Sequence, residues 1–558
     1  MERRILNVVI TCLITVLPVL SFGQQLNEFE ISKVSNFIKV LGFTKYYHPE
    51  INEGNIDWDS VFLVNMTGVL DSDIEEYRHI LNKLIDDLGE ISPCNSCENI
   101  LRFPKEWTRN LTNDWIDKDT LISEYLRDRL HFIYSNRHQG EGYYCSYALG
   151  EGANRGSLNF TNEKDYNDSL IINDFRYRLL ALARYWNAID YFFAYKYLLS
   201  QSWDNVLYKY ISMLYNETTL KDYHLNITRL TREIEDSHSG GGHSRYLLTN
   251  LWDKKPPFDI ITIDGKTIVK AIRFEELNRA NDIKISDEIL EIDGIPVAEA
   301  REELYDLCKG SNERNTHRAI DSQLLFGNTD TFNLSILRNG KVLQLAVTRF
   351  PYKAYWNLKQ KKRPVLISKQ NYAIVDISLL DSKEQIDSVM NIAKEKEVII
   401  FDLRGYPMFN WQDFESHFME ESVPGFRAYE PSLIDKGCFK PAVVERIKLD
   451  KKEAFSGKKI ILVNESTGSY GESVAMFFQL MPNTTVVGSQ TAGANGNVAR
   501  ILLPGNFNAS FSNIIIEYPD GRQSQKVGIQ LDHQVELSVE DILDERDPYI
   551  EFAVEMTK

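Results

Sequence analysis

From residue 25 to about 250 the apolar positions recur at three- and four-residue spacing, the pattern of helices with one buried face. Inside this stretch the pattern repeats at a constant offset of 145 residues. Phe37 matches Leu182, Tyr46 matches Tyr191, Tyr47 matches Phe192, Trp58-Asp59 matches Trp203-Asp204 and Phe62 matches Leu207. Each copy predicts an amphipathic helix running into an aromatic pair, a loop, and a Trp-led second helix. The aromatics read as the packing of two helical hairpins. Between the copies, from about 95 to 165, the pattern is less regular, with Gly-rich pieces from Gly140 to Gly156 that predict loops and short strands. The second helical unit ends in Ile234-Glu-Asp-Ser-His238-Ser-Gly-Gly-Gly-His243. Three glycines in a row end a helix and permit backbone closed to other residues. His238 stands just before them, at a helix exit.

Lys254-Lys-Pro-Pro257 reads as a linker, and beyond it the pattern turns β-rich up to about residue 350. A strand and turn at 259–265, the segment Ile283–Val297, a helix near Glu299–Cys308 and two strands joined by Asn339-Gly340 follow in order. Asn-Gly between alternating runs is a strong hairpin signal. From about 365 strands and helices alternate. Strands are predicted at Tyr372–Ile377, Val398–Leu403, Lys459–Val463 and Thr485–Gly488. Helices are predicted at Ser382–Lys396, Gln412–Met419 and Ser469–Met481. Such alternation gives an α/β core with chemistry at the carboxyl ends of the strands. The fold class is therefore multidomain α+β. Its parts are an N-terminal helical repeat region (24–253), a β domain (257–350) and a C-terminal α/β core (365–558).

The N-terminus changes the picture of where the chain works. A basic Met1-Glu-Arg-Arg4, an apolar run from Ile5 to about Leu20, and the small residues Ser21 and Gly23 have the layout of a secretory signal, with cleavage expected after Gly23. The mature chain is expected in the periplasm or outside the cell, without stable membrane insertion. At 558 residues the chain exceeds a single core. Its content of 43% hydrophobic and 26% charged residues is ordinary globular composition. A formal net charge of -17 argues against nucleic acid as a partner. Five of the six cysteines remain after cleavage, too few and odd for a disulfide framework. Cys94 and Cys97, a lone CxxC, suit a local disulfide better than a zinc site.

The sharpest chemical feature is Ile460-Ile-Leu-Val-Asn464-Glu-Ser-Thr-Gly-Ser469-Tyr-Gly-Glu472: a buried strand, a tight polar turn, and a helix opening on Ser469. A helix N-terminus favours negative charge, which an acyl-transfer intermediate needs. The same residues also spell a capping box, Ser469-x-x-Glu472, which many inert helices carry.

Several segments resemble known families. Ser286-Asp-Glu-Ile-Leu-Glu-Ile-Asp-Gly-Ile-Pro-Val297 resembles the best-marked stretch of PDZ domains, with Ser286 where glycine is usual. Ser469-Tyr-Gly-Glu472 followed by Val486-Val-Gly-Ser-Gln-Thr491-Ala-Gly493 resembles the nucleophile segment of the tail-specific serine peptidases, the C-terminal-processing and tricorn-like superfamily. Val398–Gly405 resembles that family's Asp-Leu-Arg strand end, and Gly528-Ile-Gln-Leu-Asp532 its closing segment. The resemblance covers about 230 to 558. It implies a serine-type peptidase acting on peptides or proteins, without cofactor or metal.

Ser469 would be the nucleophile. Processing members use a lysine just after the Thr-x-Gly element, where this chain has Ala494, so the resemblance points to the tricorn-like branch, which uses serine, histidine and an acid. Asp236-Ser237-His238 fits its Ser-His element, making His238 the general base, with His243 and His417 as fallbacks. The third member should lie shortly before Gly528, a region that offers Glu517, Asp520, Gln523 and Gln525; Gln525 or Glu517 is the candidate. The oxyanion donors would be the backbone amides of Tyr470 and Gly405. The alternative class is a non-catalytic protein on the same fold, binding apolar ligands or peptides.

Overall fold

The computed structural model describes residues 25–148, 156–239, 244–355, 358, 363–409, 411–415, 417–418, 425–442 and 454–558. The signal-like N-terminus and His243 lie outside them. No helix among the described residues is long and apolar enough to cross a membrane.

The helical unit is built from its repeat. Helix α1 (Glu28–Tyr47) starts with a capping box at Asn27 and leads to α2 (Trp58–Asp71). The second copy is α3 (Phe175–Phe192) and α4 (Trp203–Tyr215), continued by α5 (Leu220–Arg232). In each copy the leading Trp donates its indole N–H back into the preceding helix: Trp58 to the Leu41 carbonyl at 2.8 Å, Trp203 to the Trp186 carbonyl at 3.0 Å. Repeat-mates also touch across a local two-fold. Tyr46 meets Tyr191 with ring centroids 5.3 Å apart. Gly42 lies against Asn187 so closely that a Cβ would come within 1.7 Å of its Oδ1. Ion pairs are exchanged in the same way: Lys39 with Asp204 at 2.8 Å, and Arg184 with Asp59. Residue i of one copy thus meets j of the other and j meets i, as in an isologous dimer. Cys94 and Cys97 form a disulfide on the loop that follows this unit's first half.

The β domain is a six-strand antiparallel sheet. Five of its strands lie in sequential order: β1 (Phe258–Ile263), β2 (Lys266–Ile272), β3 (Glu288–Ile292), and the hairpin β4 (Thr331–Arg338) to β5 (Lys341–Thr348). The sixth, the two residues Ile295–Pro296, pairs with β3. Helices α6 (Val297–Cys308) and α7 (Glu313–Gln323) lie between β3 and β4 in the chain. Asn339 and Gly340 both have positive φ, 51° and 73°. A two-residue hairpin turn demands this. Ser286 has φ 71°. That left-handed backbone explains why glycine is the usual residue there. The linker Lys254–Lys255 is not free chain; it pairs with Phe350–Pro351 and closes the base of this domain.

The C-terminal core is a six-strand sheet. β6 (Leu366–Ser368) is antiparallel to β7 (Tyr372–Asp376). Helix α8 (Lys383–Ala393) crosses to β8 (Val398–Asp402), followed in space by β9 (Lys458–Val463). Helix α9 (Tyr470–Gln479) leads to β10 (Thr484–Gly488). The hairpin β11 (Val498–Leu503) to β12 (Phe507–Ser512) then leaves the sheet. It buries Ala499, Ile501, Leu503, Ala509 and Phe511 in the core of the helical unit. The short β13 (His533–Gln534) completes the parallel order β7-β8-β9-β10-β13, and α10 (Pro548–Glu555) packs on it. The hairpin has a functional consequence, because its last residue, Ser512, reaches the turn that carries His238.

Candidate active site

Ser469 sits in strained backbone, φ 54° and ψ -124°. Residues with a Cβ seldom occupy this region, and such strain concentrates at functional sites. The turn before it is fixed by Thr467, whose hydroxyl donates to the Leu403 carbonyl at 2.9 Å. Ser469 stands at the N-cap of α9, yet its side chain caps nothing. The capping box spelled by the sequence does not form.

Glu472 turns inward instead. Fully buried, it accepts from Thr491 Oγ1 (2.5 Å), the Gly493 amide (2.8 Å) and the Ala494 amide (3.0 Å). The Ala494 carbonyl in turn accepts the Ser469 amide at 2.7 Å. Glu472 therefore holds the loop that holds the nucleophile candidate. Gly528, at φ 85°, lets the closing segment approach this loop; a Cβ there would lie 2.6 Å from Thr491 Oγ1. Burial pushes the Glu472 carboxyl up to about 7, against the pull of its three hydrogen bonds. A raised acid binds its proton more tightly in the folded state. Its contribution to stability is full below the ordinary value of 4.5 and is lost as pH rises through about 7. Over that window wild type should lose on the order of 3 kcal/mol relative to Glu472→Gln. Melting curves of both from pH 4 to 8 check this: the two pH profiles should converge in slope only outside the window, and parallel curves throughout would refute the assignment.

The strand end at Gly405 is rigid. Arg404 donates to Asp402 (2.9 and 2.7 Å) and to Asp547 (2.9 and 2.8 Å), tying β8 to the start of α10. Gly405 packs on Ser378, where a Cβ would sit 2.5 Å from its side chain. Among the described residues neither the Gly405 nor the Tyr470 amide has an acceptor. Both residues are half-buried.

After α5 the chain passes through Glu235, in left-handed backbone, into a 3-10 turn, Ser237–Ser239. The His238 side chain is 14% exposed. Its Nδ1 lies 2.7 Å from Ser512 Oγ and 3.9 Å from Asp236 Oδ1. Asp236 is fully buried and accepts the Ser512 amide (2.8 Å) on one oxygen and the His238 amide (3.1 Å) on the other. Burial pulls the imidazole below 6.5; Asp236 pushes it up and Arg500 pushes it down. The outcome is a neutral base near neutral pH.

Gln525 does not touch His238. Its amide donates to Asp236 Oδ1 (3.4 Å), and its oxygen accepts the Asn495 amide (3.2 Å). Glu517 is committed elsewhere, paired with Arg109 at 2.8 Å. His417 is buried with Nε2 2.8 Å from Asp387 on α8. Ala494 fills the family's lysine position with a buried methyl group. One network therefore runs from Ser469 through Ala494-Asn495, Gln525 and Asp236 to His238. Among the described residues no hydrogen bond joins Ser469 Oγ to His238. Two members were not assigned from sequence: Asp236, whose only signal was its place two residues before His238, and Ser512, which had none.

Residues 371–535 match the profile of peptidase family S41, and residues 254–358 match that of a PDZ domain. Among solved structures, mature CPAF complexed with lactacystin aligns with a TM-score of 0.54 at 14% identity, over 69% of this chain and 98% of its own. A CPAF point mutant aligns with a TM-score of 0.56 at 13% identity, over 69% and 97%. At these identities the likeness is one of fold. No curated protein matches the chain. The class that the fold defines is thus an α/β core matching peptidase family S41 that follows a segment matching a PDZ domain.

Proposed function

We propose that the chain is an exported peptidase in which Ser469 is the nucleophile and His238 its base, with Asp236 as the charged partner of His238. The carrying observation is the uncapped Ser469 in strained backbone at a helix start, joined by one network to a His–Asp pair. With the proton on Nδ1 donated to Ser512, Nε2 of His238 is the acceptor. Ser469 Oγ adds to the peptide carbonyl carbon as its proton passes to Nε2. The oxyanion takes the Tyr470 and Gly405 amides. The C–N bond breaks as His238 returns the proton to the amine, and water then cleaves the acyl ester by the same route. The direct Ser469–His238 contact closes when substrate binds, as such contacts often do. Export is supported by the basic and apolar N-terminal residues.

The test is labelling of mature protein with a serine-directed fluorophosphonate. Wild type should label, and Ser469→Ala and His238→Ala should not, all three remaining folded. A folded wild type that stays unlabelled overturns the reading and favours a binding protein on this fold.

A further inference from the structure

Glu235 precedes the Asp236–His238 turn and is used by no step above. Its backbone is left-handed, φ 51°, and its side chain is 10% exposed. Three units of the molecule meet on its carboxylate. Lys526, next to Gln525 in the core, and Ser200 of the helical unit both donate to it. Lys309, from the end of α6 in the PDZ domain, donates at 2.9 Å. These donors hold the carboxyl down at about 2 against its burial.

The same partners reach the Ser469 side. The Lys526 amide donates to the Gly493 carbonyl at 2.7 Å, and Asn312, the N-cap of α7, donates to the Thr491 carbonyl at 2.9 Å. Across Asp236, Ser237 is gripped by the PDZ domain as well: its amide donates to Ser311 Oγ (2.9 Å) and its hydroxyl to Asn315 (2.7 Å). The α6–α7 turn of the PDZ domain therefore bridges the turn that carries His238 and the loop that positions Ser469.

We propose that Glu235 is a positioning residue: through Lys309, Lys526 and Ser200 it sets the turn that presents His238 to Ser469. The inference rests on the Ser469–His238 reading. Lys309 is its cleanest probe. It is partly exposed, lies outside the peptidase core and touches neither reacting side chain.

The experiment compares the full mature chain with Lys309→Met, Lys309→Arg and Glu235→Gln. It measures the rate of fluorophosphonate labelling and amide hydrogen exchange over 235–239 and 491–496. Losing one charged hydrogen bond at the node should slow labelling about tenfold in Lys309→Met. Exchange in both segments should rise, and Lys309→Arg should restore both. Glu235→Gln, which leaves two lysines facing each other, should slow labelling further. Wild-type rate and unchanged exchange in Lys309→Met overturn the proposal. Absent labelling of wild type overturns the catalytic reading instead, and exchange still decides whether Lys309 and Glu235 hold the turn.

Discussion

The Asp236→Asn variant is expected to label with a fluorophosphonate about a thousandfold more slowly than wild type, or worse, while staying folded. The buried carboxylate has two tasks. It is the acid beside His238, 3.9 Å from Nδ1, and in the proposed mechanism it would stabilise the imidazolium formed when Ser469 gives up its proton. It also fixes geometry, by accepting the amides of both Ser512 and His238. An asparagine keeps the shape but offers one acceptor oxygen and removes the charge. The pH profile separates the two losses. Labelling needs neutral imidazole, so the wild-type rate should fall as pH drops through a value below 6.5, where burial has moved His238. Asp236 raises that value while Arg500 lowers it. With Asp236 neutralised, the acid limb should move to still lower pH even as the plateau collapses. A variant with the wild-type plateau would show that Asp236 carries no charge role. An unmoved limb with a lowered plateau would make it purely geometric.

The largest stability loss should come from the helical repeat. Arg184→Met is expected to destabilise the protein by about 3–5 kcal/mol, the usual cost of breaking a buried pair. Arg184 is 1% exposed at its side chain; it pairs with Asp59 (5%) and lies 3.0 Å from Glu163 (0%). Its removal leaves the buried Asp59 carboxylate with the Tyr166 hydroxyl, at 3.0 Å, as its remaining side-chain hydrogen-bond donor among the described residues. The local two-fold supplies the control. The equivalent pair is Lys39 with Asp204, whose carboxylate is 52% exposed. Lys39→Met should therefore cost about 1 kcal/mol or less in ion-pair energy. Urea unfolding of the two variants reads the contrast directly, and equal midpoints would refute it. Arg184 also donates to the Leu502 carbonyl at 3.1 Å. The loss should thus reach the hairpin whose end, Ser512, orients His238, and slow labelling as well.

Much of the architecture was legible along the chain. The constant offset marked a duplicated hairpin, and the structure pairs the two copies through the residues that matched, Tyr46 with Tyr191. The predicted strands of the core fall within a residue or so of β7, β8, β9 and β10. Asn339-Gly340 makes the turn its composition demands. Ser469 opens α9 as expected, but the capping box read from Ser469 and Glu472 was wrong in physical content. The spacing permits that box; burial and three long-range donors draw Glu472 away from it. The hairpin of β11 and β12 lies within the α/β stretch of the sequence, yet its apolar face is buried in the helical unit.

By itself the sequence determined what is local: helical and strand periodicity, the repeat, the turns set by Gly and Asn, and a serine at the start of a helix after a buried strand. These follow from sterics and from which side chains seek burial, both of which act over a few residues. Tertiary structure alone decided which polar groups meet. That the acid beside His238 is Asp236, and neither Gln525 nor Glu517 is its partner, depends on the turn at Glu235 and on where Ser512 is delivered. Glu517 is taken by Arg109, and Gln525 is held one step away by Asn495. His238 and Ser512 lie 274 positions apart in the chain, and Arg109 and Glu517 lie 408 apart. A hydrogen bond that fails by a few ångströms leaves no trace in the spacing of either partner along the chain.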